Sequence, residues 1–346
     1  MKVCPTQAIR VRNGKAEVMP ERCIDCGECY RVCPVHAFRI GEDDLSDIIQ
    51  FPVKVALLPA VFTGQFPDDI STDRIYQAIH QLGFSHVHEV EQSVDFLKEK
   101  TLQYQISDDE SPHISSFCPA IVRLIQIRFP SLTDNIIRLR VPHDLTAELI
   151  KNNFIKEGYK DSEIGIFYIT PCAAKIAAVK SPVGEDKSVI NGVINMDSLY
   201  NKVMALIKKE DKTSSAQHRT HLGANAITWS LTNGESKHAH GRALAIDGIK
   251  NVSEFLEKIE NEEITDVDFL ELRACDESCA GGILCTSNRF LTAERLQKRA
   301  RKSELANRDS DLTGENNPEA TRFLEQKMTL EHIEPRPIRL DIEIGT

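Results

Sequence analysis

The residues of this chain best able to do chemistry are its ten cysteines, and they are unevenly placed. Five fall within the first 33 residues, and the others follow as Cys118, Cys172, the pair Cys275 and Cys279, and Cys285. The first group contains Cys23-x2-Cys26-x2-Cys29-x3-Cys33-Pro34. Three thiolates spaced two residues apart wrap one face of a 4Fe–4S cubane, and the amide N–H groups of so tight a loop bond to sulfur and offset the cluster's negative charge. Structural zinc is the plainer alternative, but it usually takes two separate ligand pairs. A disulfide scaffold would be short, secreted and evenly laced, and this chain is none of these. Reduced thiolates for metal fit better.

This run resembles that of bacterial ferredoxins, in which the fourth cysteine points at the other cluster of a two-cluster protein. An internal repeat supports the likeness: Cys4-Pro5-Thr6-Gln7-Ala8-Ile9-Arg10-Val11 matches Cys33-Pro34-Val35-His36-Ala37-Phe38-Arg39-Ile40 at an offset of 29. The resemblance then makes Cys4 the fourth ligand to the cluster of Cys23, Cys26 and Cys29. The same offset puts the missing first run at −6, −3 and 0, so the chain begins one residue after its expected third cysteine. Either the native chain extends at this end and Cys33 serves a further cluster, or Cys33 is an orphan thiol. As written, the module completes one 4Fe–4S cluster.

The later cysteines need elements to place them. Residues 53–61 form a short apolar run that predicts a buried strand, 73–82 are helical in pattern, and 87–90 fit another strand. A polar segment, 105–116, leads into Cys118 and an amphipathic helix over 120–129 that Pro130 stops. Pro119 directly after Cys118 marks a helix start, whose free N–H groups and positive end favour an anionic cluster. Residues 164–169 predict a strand ending at Thr170-Pro171-Cys172, and 243–246 and 267–272 two more, the last delivering Cys275. Strands each followed by a loop and a helix predict parallel α/β units with ligands at strand C-termini. The polar stretch 208–221 reads as a surface loop. The helix over 289–307, with Arg289, Arg295, Lys298, Arg299, Arg301 and Lys302, reads as a solvated face.

Three domains are expected: 1–45, a ferredoxin-type module that is N-terminally incomplete; 46–290, an α/β cluster-binding domain; and 291–346, a helical and extended tail or linker, with residues 41–47 as an acidic joint. The end around Pro335-Arg336-Pro337 reads as extended and carries no domain-closing signal, so the native chain is expected to continue. The net charge of −10 argues against nucleic acid and anionic membranes as partners. No apolar run approaches the ~18–20 residues of a membrane span, and the start has no signal-peptide core. The expected location is therefore the cytoplasm.

Four scattered cysteines mean little alone, since free cysteine is often a buried small hydrophobe. Their neighbours change that. Ser115-Ser116-Phe117-Cys118-Pro119-Ala120 resembles the first motif of iron-only hydrogenases, Thr-Ser-Cys-Cys-Pro. Thr170-Pro171-Cys172-Ala173-Ala174-Lys175 resembles the second, Met-Pro-Cys-x-x-Lys. Arg273-Ala274-Cys275-Asp276-Glu277-Ser278-Cys279-Ala280-Gly281-Gly282 resembles the third, in order, the match covering about residues 50–290. The resemblance implies a two-lobed α/β domain in which Cys118, Cys172, Cys275 and Cys279 hold a 4Fe–4S cubane. It further implies that Cys279 bridges to a diiron subcluster carrying CO and cyanide, and that Lys175 donates a hydrogen bond to a cyanide. A buried ammonium opposite an anionic ligand is physically sensible, since either charge alone is costly in a dry pocket. Cys285 matches no ligand position of the family and reads as a core thiol.

The sequence also departs from the catalysts. The proton-relay cysteine of the first motif is replaced by Phe117, which cannot titrate, and the glutamate six residues after the second-motif cysteine is Ala178. Gly281-Gly282-Ile283-Leu284-Cys285 replaces the Gly-Gly-Gly-Gln element, and no Thr-Gly-Gly segment separates the second and third motifs. A kept cluster scaffold with lost proton machinery is similar to the sensory branch of the family. The resemblance then implies a sensor of hydrogen or redox state, with an electron-transfer partner protein or a downstream signalling module. Two other readings stand beside it: a cubane-only protein like the cytosolic iron–sulfur assembly factors, and a low-activity hydrogenase.

Overall fold

The computed structural model describes residues 3–13, 15–107, 112–182, 187–209, 222–308 and 318–330. The polar stretch predicted at 208–221 lies almost wholly outside them, as does the extended end around Pro335. A small α+β unit comes first. Its strands β1 (Ile9–Arg12) and β2 (Lys15–Val18) pair antiparallel, and helix α1 (Glu28–Val32) follows the 23–29 loop.

Seven further strands follow: β3 (Val53–Leu58), β4 (His86–Glu89), β5 (His113–Ile114), β6 (Ile164–Thr170), β7 (Gly192–Asn195), β8 (Ala243–Asp247) and β9 (Phe269–Arg273). They form two all-parallel sheets, ordered β4-β3-β6-β7 and β5-β9-β8. The helices between and around them are α2 (Ala60–Thr63), α3 (Thr72–Gln81), α4 (Val94–Ser107), α5 (Pro119–Arg128), α6 (Pro142–Lys156), α7 (Ala173–Lys180), α8 (Met196–Ile207), α9 (Ala224–Thr228) and α10 (Ile249–Glu260). After the last strand come α11 (Arg289–Arg308) and α12 (Pro318–Lys327). The fold is α/β, as predicted, with a core on each sheet. All seven residues of β6 are buried, as befits a strand covered on both faces. Leu124, Leu256, Leu270 and Leu272 fill the second, smaller core.

Three expectations are corrected. The apolar run 53–61 stops as a strand at Leu58, because Pro59 cannot donate to the ladder and instead caps α2. The acidic joint is fastened to the edge of the first sheet: the Asp43 carboxylate accepts from Val193 N–H and that of Glu42 from Asn195 N–H, both at 2.8 Å. The basic helix α11 is a docked element. It buries Ala293, Leu296 and Ala300, and Arg299 grips the Glu89 carboxylate with two hydrogen bonds of 2.6 and 2.8 Å. Its arginines straddle an apolar stripe at helical spacing, which the count of charges conceals.

Candidate metal centres

In the first unit, Cys4, Cys23, Cys26 and Cys29 line one cavity, walled by the apolar side chains of Ile9, Ile24 and Phe38. Ala8 N–H donates to the Cys4 sulfur at 3.1 Å. Burial is the main reason three of these thiols resist ionisation: the Cys23 pKa is pushed up to about 12, and those of Cys26 and Cys29 are raised. Cys33 behaves differently. It lies outside the cavity lining, its sulfur accepts from Ala37 N–H at 3.3 Å, and backbone N–H groups there hold its thiol below the usual range. The repeat seen in sequence is thus a repeat of local structure, with Cys33 and Ala37 in the arrangement of Cys4 and Ala8.

The second set is assembled by strand ends. β5 leads to Cys118, β6 to Cys172 and β9 to Cys275, all at the C-terminal ends of parallel strands. Cys118 and Cys172 are the N-caps of α5 and α7, so two helix N-termini are directed at one region, and Pro119 stands at the first turn of α5. Between Cys275 and Cys279 the chain makes a tight turn in which Glu277 and Ser278 hold φ of +61° and +51°. Such left-handed residues cost about 1–3 kcal/mol each and persist where surrounding contacts over-determine them. Gly281 is required there, because a Cβ would strike the Asp276 carbonyl. Cys172 is pushed up to about 12, chiefly by burial, and Cys275 is raised for the same reason. Cys118, Cys172 and Cys279 are near enough for their charges to act on Cys275.

Lys175 Nζ lies 3.5 Å from the Cys279 sulfur and 4.4 Å from the centre of the Phe117 ring. On that same ring lies a second buried cation, the Arg273 guanidinium, 4.0 Å from its centre. Arg273 donates to Glu235 Oε2 at 2.7 Å, and Ser115 Oγ donates to the same oxygen at 2.6 Å. Glu271 receives the N–H groups of Glu235 and Ser236 at 2.9 and 2.8 Å. Cys285 points elsewhere: its thiol donates to the Cys279 carbonyl at 3.4 Å and touches Met196 Sδ at 3.8 Å.

Both thiol sets fit 4Fe–4S clusters. The buried thiols of Cys23, Cys26, Cys29, Cys172 and Cys275 ionise far more readily when a metal neutralises them. Among the described residues no three His, Cys, Asp or Glu side chains converge closely enough for a single metal ion.

The family model for the iron-only hydrogenase large subunit, C-terminal domain, matches residues 53–216 and 191–283, about two thirds of the sequence. The chain belongs to the iron-only hydrogenase family. A second model, for a 4Fe–4S binding domain, matches residues 15–38. Among solved structures, the FeFe-hydrogenase HydA(deltaEFG), described for stepwise H-cluster assembly, aligns with a TM-score of 0.57 at 12% identity, covering 84% of this chain and 97% of its own. HydA1 from Chlamydomonas reinhardtii, as a glutamate-to-alanine variant, gives 0.56 at 14%, covering 84% and 97%. A FeFe-hydrogenase described for oxygen inactivation gives 0.58 at 14%, covering 87% and 98%. At such identities the likeness is one of fold. A search of curated proteins finds no match.

Within this hydrogenase fold, Phe117 is 5% exposed, and Ala178 sits on α7. Reasoning from sequence missed Arg273, Glu235 and Glu271. A signal was present: β9 reads Phe-Leu-Glu-Leu-Arg, and two opposite charges two residues apart in a buried strand share a face and must be paired. Glu235, 36 residues upstream of Glu271, carried no such mark.

Proposed function

We propose that this chain senses hydrogen or redox state by electron transfer between two centres. One is a ferredoxin cubane on Cys4, Cys23, Cys26 and Cys29; the other is a hydrogenase-type cubane on Cys118, Cys172, Cys275 and Cys279. When bound, each cubane takes or gives one electron. The observation that carries the reading is Phe117. The thiol scaffold and Lys175 are kept, while the position that relays protons in the catalysts holds a buried ring covered by two cations. A ring so held offers no proton and excludes the water that would substitute for one. The two sites adjoin across apolar packing: Ala173, the neighbour of Cys172, lines the ferredoxin cavity, and Cys26, Cys118 and Cys172 pack against one core. No helix among the described residues is long and apolar enough to cross a membrane. We assign the chain to the cytoplasm, with an electron-transfer partner or a downstream signalling module as recipient and no nucleic-acid or membrane partner.

A cubane-only protein is the second reading, favoured by the crowding of Phe117, Arg273 and Lys175 beside Cys279. Infrared spectroscopy of anaerobically matured protein separates the two, because a diiron unit shows CO and cyanide stretches. With those bands present, hydrogen should reduce the ferredoxin cubane in an electron paramagnetic resonance assay. Absent bands with full cubane content would establish the second reading, and a hydrogen turnover typical of catalysts would overturn both.

A further inference from the structure

Arg273 is fully buried, yet among the described residues only its Nη2 has acceptors, and Nε and Nη1 find none. Three groups fix it in place: Glu235 at 2.7 Å, Glu271 at 3.5 Å and the face of Phe117. Arg273 stands two residues before Cys275, and the ring it lies on belongs to Phe117, the neighbour of Cys118; Cys279 and Cys118 are among the charges that act on it. Its charge is therefore placed beside the thiols. Arginine stays protonated in any protein environment, so the charge is permanent. A cluster's potential follows its surrounding charge and hydrogen bonding.

We propose that Arg273 is a fixed cation of the second centre, positioned by Glu235, Glu271 and Phe117, that raises the reduction potential of the cubane held by Cys118, Cys172, Cys275 and Cys279. This rests on the reading that those four cysteines hold a cubane. The step concerned is the gain of one electron, supplied by dithionite, which takes the 2+ core to 1+ with no bond made or broken. A nearby positive charge stabilises the reduced, more negative form. Glu235 opposes it, so the two residues have opposite signs of effect.

The test is a redox titration of the full chain, both cubanes loaded, followed by electron paramagnetic resonance. Arg273→Met with Glu235→Gln, which leaves the Glu271 carboxylate as the only charge of the network, should favour the oxidised second cubane at least tenfold, a fall of about 59 mV for one electron. Glu235→Gln alone should raise the midpoint, and Arg273→Lys should stay near wild type. The ferredoxin cubane, measured in the same sample, should not move. Should the double variant fail to hold its cluster, a raised midpoint in Glu235→Gln beside an unmoved one in Arg273→Lys decides the matter. Unchanged midpoints at full iron content, or equal shifts at both cubanes, overturn the proposal. A wild-type chain binding roughly four irons rather than roughly eight overturns instead the reading beneath it.

Discussion

Replacing Phe117 by leucine tests whether the aromatic ring is a structural partner of the two cations or only a filler. Leucine keeps most of the buried apolar surface but has no face for a cation. A desolvated cation–π contact contributes about 2 kcal/mol, and Phe117 has two, to Lys175 at 4.4 Å and Arg273 at 4.0 Å. Only part of each contact is lost outright, because both cations keep other partners in Cys279 and Glu235. Adding the small packing loss of a shape change, Phe117→Leu should destabilise the protein by about 2–4 kcal/mol. The lone tryptophan, Trp229, is buried beside Ser230, whose carbonyl accepts from Cys279 N–H at 3.1 Å. Its fluorescence during urea unfolding, anaerobic and at matched iron content, therefore reports on the second centre. A double-mutant cycle with Lys175→Met should show a coupling of about 1–2 kcal/mol. A cost below about 1 kcal/mol with no coupling would refute the reasoning and leave Phe117 as ordinary packing.

The other expected outcomes concern ligands, protons and turnover. Cys279→Ala should lower bound iron by roughly four per chain and abolish any CO and cyanide bands, while Cys285→Ala should change neither; equal iron loss in the two variants would mean the ligand assignment is wrong. Glu91, buried and bonded to Ala60 N–H at 2.9 Å, has its pKa raised to about 8, first by burial and further by Glu89, against a lowering by Lys175. Tyr76 and Arg299 also face this carboxyl. A raised folded-state value means that its contribution is full below the unfolded value of 4.5 and is lost as pH climbs through about 8. Glu91→Gln should therefore flatten the fall in urea midpoint between about pH 5 and about pH 9, and an unaltered slope would clear Glu91 of responsibility. In matured protein, Phe117→Cys should raise hydrogen evolution, within the ~10²–10⁴-fold that a positioned acid contributes, and Phe117→Cys with Ala178→Glu should exceed either alone; unchanged turnover per intact site in both would sink the proton-relay account.

Much of this was legible in the chain because the signals were local. The 23–29 loop declares itself by spacing. Cys172 and Cys275 were each placed at a strand end by an apolar run, and Cys118 at a helix start by Pro119, whereas the two-residue β5 lay hidden in a segment that reads as polar. What stayed hidden depended on pairing across the fold. Arg273 reads as one more charge until β9 is known to be buried, and Glu235 acquires meaning only when its loop returns beside β9. The basic helix misled for the same reason: a residue such as Arg299 is solvated or buried according to what packs above it, here Glu89 from β4. The acidic joint at Glu42 and Asp43 likewise looks like a spacer until the edge of β7 supplies donors.

The two centres are locked to each other by the elements that build them. α5 begins at Cys118, and five residues further on Arg123 donates to the carbonyls of Cys23 and Pro20, while Arg128 reaches Pro5. From the other side, Arg31 of α1 donates to the Gly281 carbonyl at 2.8 Å, two residues after Cys279. Gly27, between Cys26 and Cys29, holds φ at +75°, and a Cβ there would strike Ile283. Each cysteine loop is thus a packing surface for the other. A displacement in the 275–283 turn has to move α1, and one in the 23–29 loop has to move the helix that carries Cys118. The same contacts tie the geometry of one cysteine loop to that of the other, which is the coupling the proposed sensing role would need between its site and its electron outlet.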